Sequence, residues 1–117
     1  FWDAHSIRRH VPSIHKNPFP DLIIGDNDST SCDTKFTKIT ENELMKSGLQ
    51  VNYNYPFKGS YLTRSKGNPS QHIHAIQLEM CKDLYMSHDE TKYDEKKAEE
   101  IKKILKKTFQ LLIESLI

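Results

Sequence analysis

The sequence predicts an α/β domain, and three observations carry that prediction. Residues 71–80 (QHIHAIQLEM) read as a strand, with His74, Ile76, Leu78 and Met80 on one face and Ala75, Gln77 and Glu79 on the other, because strand side chains alternate. Nearly every position there is apolar or small, which predicts burial on both faces. Residues 94–116 place Ala98, Ile101, Ile104, Leu105, Thr108, Leu111, Leu112 and Ser115 at spacings of three and four, the stripe of an amphipathic C-terminal helix packed on a sheet. The order strand–helix–strand–loop–strand–helix completes the pattern.

Taken in order, residues 1–4 form the tail of a buried strand, with Asp3 and His5 on one side by period two. Residues 8–20 (RRHVPSIHKNPFP) hold three prolines and no period, and so form a loop. Residues 21–26 (DLIIGD) are a short apolar run bounded by turn residues, a second strand. Asp33 is placed to cap a helix through Phe36, Ile39 and Leu44 that stops at Gly48. Residues 49–54 (LQVNYN) are strand by composition. Residues 61–63 extend briefly before a loop, 64–70, and the strand around Glu79 follows. Asp94 and Glu95 open the last helix at its positive end, and its Lys-rich face is solvated.

With 117 residues the chain is one domain at most and long enough for a core. Lys+Arg 17 against Asp+Glu 16 gives +1, which leaves no electrostatic footprint for nucleic acid. The hydrophobic fraction of 36% is low for a self-sufficient domain. No apolar run is long enough to span a membrane and no signal peptide is visible, which predicts no membrane partner. Cys32 and Cys81 lack CxxC spacing, so two free thiols in a reducing, cytoplasmic setting are expected. The chain opens on Phe1 rather than Met, and residues 1–5 read like the middle of a protein. The expectation is therefore a single partial domain, 1–117, of something longer.

Several residues are candidates for chemistry. Glu79, at the end of its strand, is either a surface carboxylate or a desolvated one whose raised pKa suits a general acid or base. His5 is either a hydrogen-bonded structural residue or a metal ligand whose ring Asp3 orients. Arg8 and Arg64 can clamp a carboxylate through the guanidinium fork, and Arg64 stands between Gly59 and Gly67 in a loop with backbone demands. Asn54 belongs to the same polar region. His10, His15 and His88 read as surface histidines, while His72 and His74, two apart on a strand, form a weak metal-chelating pair.

Five blocks sharpen this reading. Residues 2–8 (WDAHSIR), 22–27 (LIIGDN), 31–33 (SCD), 54–64 (NYPFKGSYLTR) and 74–79 (HAIQLE), continued by 84–86 (LYM), occur in this order. Together they resemble the N-formylglutamate amidohydrolase (formylglutamate deformylase) family over residues 1–86. The resemblance implies a zinc-carboxypeptidase-like (phosphorylase/hydrolase-like) fold, a mixed sheet flanked by helices, of which this chain is the C-terminal part. It implies a zinc-dependent bacterial enzyme hydrolysing N-formyl-L-glutamate to formate and L-glutamate in histidine breakdown. His5 matches the last zinc ligand, and Glu79 matches the glutamate that activates water. Arg64, and after it Asn54 and Arg8, would hold substrate carboxylates. The family's other metal ligands lie upstream of the block holding His5, so the isolated chain is expected to be inactive. Ser60 stands where the family usually repeats glycine, and Ser65 and Lys66 replace an aromatic-containing pair. A truncated non-catalytic binding or assembly module, and a carboxypeptidase-like hydrolase of N-acyl amino acids or peptides, are the alternatives. The expected partners are a small N-acyl amino acid and either a missing N-terminal half or a second copy, paired through the edge at residues 1–4.

Overall fold

The computed structural model describes residues 1–116. Along the chain lie strand β1 (Trp2–Ile7), strand β2 (Leu22–Gly25), helix α1 (Thr34–Lys46), strand β3 (Val51–Tyr53), helix α2 (Tyr61–Lys66), strand β4 (Ile76–Cys81) and helix α3 (Glu95–Ser115). Single 3₁₀ turns occupy Pro69–Gln71 and Lys82–Leu84. The strands form one sheet in the order β1-β4-β2-β3. β1 is parallel to β4, β4 antiparallel to β2, and β2 parallel to β3. The predicted mixed α/β sheet is therefore present, with β1 at one edge.

Local signals explain most of these elements. Leu22, Ile23 and Ile24 are almost fully buried, as a central strand requires. The Asp33 side chain accepts from the Lys35 N–H, and Gly48 lies just past the end of α1 at φ 83°. Asp94 caps α3 in the same way, accepting from the Lys97 N–H. Ile101 and Ala98 of α3 are buried with Thr108, while its lysines are exposed, as the stripe predicts. No helix among the described residues is long and apolar enough to cross a membrane.

The structure departs from expectation at the first strand, which runs to Ile7 as a half-exposed edge strand and not as the tail of a buried one, and in three further places. Residues 61–63 are not extended: they open α2, where the Arg64 N–H donates to the Ser60 carbonyl. The strand-forming bias of Tyr61, Leu62 and Thr63 gives way to a tertiary anchor, the buried Thr63 hydroxyl on Asp3. Arg64 consequently sits on a helix and not in a loop. β4 starts at Ile76, not at Gln71, because Ala75 donates to Ser31 and residues 68–73 close a turn on themselves. The strand predicted over residues 49–54 shrinks to Val51–Tyr53.

Alternation along β2 and β4 divides the core in two. Leu22, Ile24, Ile76 and Leu78 face α1 and α3, meeting Phe36 and Leu44 of α1 and Ile101 of α3. Burying a leucine of this kind contributes about 2 kcal/mol. Ile23 faces the other way, into a smaller cluster with Phe19 and Cys81 that Phe57 and Leu84 cover. Loops, rather than long helices, roof this second face. Both cysteines are free and buried, and burial pushes Cys32 up to about 11 and Cys81 up to about 12. Neither is a thiolate nucleophile at neutral pH.

Candidate active site

The second face of the sheet carries the polar residues. Strand register sets them in two rows: Asp3, Gln77 and Gly25 in one, and His5, Glu79 and Ile23 in the next. Glu79 thus sits mid-sheet, with an imidazole on one neighbouring strand and an isoleucine on the other. It is not a surface carboxylate. Burial raises its carboxyl above the ordinary glutamate range, His5 opposes that shift, and Asp3 adds to it. The carboxyl is therefore the desolvated alternative of the two that its strand position allowed.

His5 is held from below. Its Nε2 lies 2.9 Å from Oδ1 of Asp3, which is itself 6% exposed. A carboxylate oxygen only accepts, so Nε2 carries a proton, and in the neutral ring Nδ1 is the nitrogen with the lone pair. Oδ2 of Asp3 accepts from the Thr63 hydroxyl at 3.0 Å and the Ser60 hydroxyl at 3.3 Å. Ser60 Oγ also comes within 3.5 Å of the same Nε2. A serine nucleophile would need the carboxylate and the hydroxyl on opposite ring nitrogens. Here both meet one nitrogen, which excludes a Ser–His–Asp relay.

A loop roofs the two rows. The Ser60 N–H donates to Gln77 Oε1 at 2.7 Å, and the Asn27 N–H donates to the Lys58 carbonyl at 2.8 Å. Gly25 makes that approach possible, since a Cβ there would stand 2.5 Å from the Lys58 oxygen. The resulting cleft, of about 280 Å³, is lined by His5, Gln77 and Glu79 below and by residues 56–60 above. A more enclosed apolar cavity of about 270 Å³, by Trp2, Phe36 and Phe109, lies on the opposite face and holds neither His5 nor Glu79.

The other predicted residues are more scattered. Arg64 is exposed on α2 and has no ion-pair partner among the described residues. Arg8 is exposed and lies 3.4 Å from Glu90. Asn54 is committed elsewhere. At φ 59° its amide donates to Asp26 Oδ1 at 2.9 Å, and its side-chain oxygen accepts from the Asp26 N–H. Asp26 is fully buried and also accepts from Thr37 and Tyr53, so this cluster fixes the turn after β2. The His72–His74 pair is not available either, since His74 Nδ1 accepts from the Asp33 N–H.

No group of three His, Cys, Asp or Glu side chains converges as a metal site among the described residues. The donor set fits one ligand's share of such a site: an imidazole whose proton-bearing nitrogen a carboxylate holds, as metal-ligating histidines usually are. Gln77, Ser60 and Thr63 were not singled out from sequence. Gln77 was legible, being two residues from Glu79 on the same strand face. Thr63 was hidden by its strand-like composition.

The family model described as N-formylglutamate amidohydrolase matches residues 1–86. This chain belongs to the N-formylglutamate amidohydrolase family. An N-formylglutamate deformylase of Pseudomonas putida is 36% identical over 114 residues, 96% of this chain and 43% of that protein. One from Pseudomonas aeruginosa is 42% identical over 86 residues, 73% of this chain and 32% of that protein. The crystal structure of N-formylglutamate amidohydrolase from Ralstonia eutropha JMP134 superposes with a TM-score of 0.81 at 26% identity, covering 95% of this chain and 41% of that one. The chain spans less than half the length of the curated relatives it matches. The family's matched stretch contains the cleft and all six residues of the two strand rows.

Proposed function

We propose that this chain is the C-terminal portion of a zinc-dependent amidohydrolase that cleaves N-formyl-L-glutamate to formate and L-glutamate, in the cytoplasm and in histidine breakdown. The observation that carries the reading is the register of His5 with Glu79 over a single cleft. The names of the Pseudomonas relatives support the substrate. A zinc-carboxypeptidase-like arrangement of the complete protein belongs to the same proposal.

In this reading Glu79 takes a proton from the attacking water as its oxygen bonds to the formyl carbon. It returns that proton to the glutamate nitrogen as the C–N bond breaks. Its desolvated setting favours both halves of the exchange. Zinc would be held by His5, together with donors outside the described residues, and supplies Lewis acidity toward the amide carbonyl. Asp3 keeps the His5 ring fixed throughout. Arg64, free of ion pairs among the described residues, anchors a substrate carboxylate through its planar fork. Arg8 is a second anchor once released from Glu90. Asn54 contributes by shaping the turn around Asp26.

The test compares zinc content and formate release for the isolated chain and for the chain joined to the remaining length of a family member. The isolated chain is expected to hold little zinc and to be inactive. The joined form is expected to hold about one zinc and to release formate, with both lost in His5→Ala. A joined form that binds zinc yet leaves N-formyl-L-glutamate intact overturns the substrate. A joined form that folds without zinc favours a non-catalytic module.

A further inference from the structure

The hydrogen bonds beneath His5 run one residue deeper than a carboxylate–histidine pair. Asp3 is buried with both oxygens engaged, Oδ1 on the His5 ring and Oδ2 on Thr63 at 3.0 Å. Thr63 is 0% exposed, so its hydroxyl has no water to fall back on. Its position is not incidental to helix α2. The loop before it is pinned at the Ser60 N–H by Gln77, and Gly59, at φ 141°, admits the Thr63 methyl within 3.0 Å of where a Cβ would stand. A side chain at position 59 would push α2 away from β1.

Two atoms could hold Oδ2, and they differ in kind. Ser60 is exposed and donates at 3.3 Å, whereas Thr63 is enclosed and donates at 3.0 Å. The enclosed Thr63 hydroxyl has no competing water, whereas the Ser60 hydroxyl is open to solvent. Both bonds go to the same carboxylate oxygen, and the buried one is the stronger because the low local dielectric screens it less.

We propose that Thr63 is a positioning residue for His5. By fixing Asp3, it holds the Nε2–H bond and with it the orientation and neutral-ring tautomer of His5. The inference rests on His5 being the working ring of the proposed amidohydrolase, but its test needs neither zinc nor turnover. Failure of one is therefore separable from failure of the other.

The experiment is ¹⁵N NMR of the histidine rings in the metal-free chain at alkaline pH, with His5 assigned by the signal lost in His5→Gln. In the parent chain His5 shows the Nε2–H tautomer alone and a ring proton protected from exchange. Thr63→Val keeps the shape and removes the donor. It is expected to speed exchange of that proton about tenfold, the weight of one hydrogen bond to a charged group, and to admit the second tautomer. Thr63→Ser restores the parent signals. Backbone amide exchange in β1 and the melting temperature serve as the check that the fold is intact. His5 signals unchanged in a folded Thr63→Val chain overturn the proposal, as does a Thr63→Ser chain that behaves like Thr63→Val. Should Thr63→Val fail to fold, Asp3→Ala, which removes the acceptor, provides the second reading: His5 losing its protected proton there supports the path through Asp3, and retaining it refutes that path.

Discussion

His5 and Glu79 are register partners on the parallel strands β1 and β4, placed side by side from positions 74 residues apart. Strand pairing alone sets a basic ring beside a desolvated carboxyl, with Ile23 closing the far side of Glu79. The raised carboxyl follows from that row, since burial is its leading cause.

Removing the carboxyl tests its role in turnover. In a complete zinc-loaded form, Glu79→Gln is expected to lower kcat by about 10²–10⁴-fold while changing KM little, the range for loss of a general acid–base group. A loss confined to KM would reassign Glu79 to substrate binding.

The same residue predicts a pH effect on stability in the metal-free chain. A carboxyl raised in the folded state costs the fold nothing below the ordinary glutamate range. That cost is complete above the raised value, so its contribution to stability falls as pH climbs through the interval between them. Glu79→Gln should therefore melt higher than the parent at neutral pH, with the gap closing in acid. Thermal denaturation across that range is the measurement, and a gap independent of pH contradicts the argument.

Gly25→Ala should damage the roof of the cleft and not the sheet's core. The added carbon meets the Lys58 carbonyl, which is backbone and cannot swing away. The expected cost is about 1–3 kcal/mol in urea denaturation. Amide exchange should rise at Asn27 and Ser60, whose N–H groups the loop organises.

Asp26→Ala strips the acceptor from Thr37, Tyr53 and Asn54 together. The stability loss should be about 3 kcal/mol, because those donors are left without a partner away from water. A loss well below that, measured by the same denaturation, would mean that water replaces the carboxylate.

Association is expected at the free edge of β1. That edge lies beside the exposed side chains of Phe1 and Ile113, and unpaired strand edges recruit another strand. Sedimentation should show weight-average mass rising with concentration, and Ser6→Lys, a charge on the exposed end of that strand, should reduce it. A concentration-independent monomer rules out the second copy as a partner.

How much of this was readable beforehand divides by the range of the cause. The caps at Asp33 and Asp94, the stripe of α3 and the alternation through Gln77 and Glu79 are local, and the sequence carries local signals directly. The blocks at residues 2–8 and 74–79 pointed to His5 and Glu79 through family resemblance, and the structure puts them in one cleft. What stayed hidden depended on contacts across the chain. Thr63 reads as strand until Asp3, 60 residues away, claims its hydroxyl. Asn54 reads as a free polar loop residue until Asp26, 28 residues away, takes both ends of its amide.

The edge position of β1 has one more consequence. Only β4 fixes how far β1 is threaded along the sheet. A slip of one residue would turn His5 and Asp3 over to the helical side and present Ala4 and Ser6 to the cleft instead. The proposed chemistry would then vanish without loss of a single side chain. In the proposed amidohydrolase the alignment of these two strands would itself set the working pair, and mutations that loosen it would silence the site from a distance.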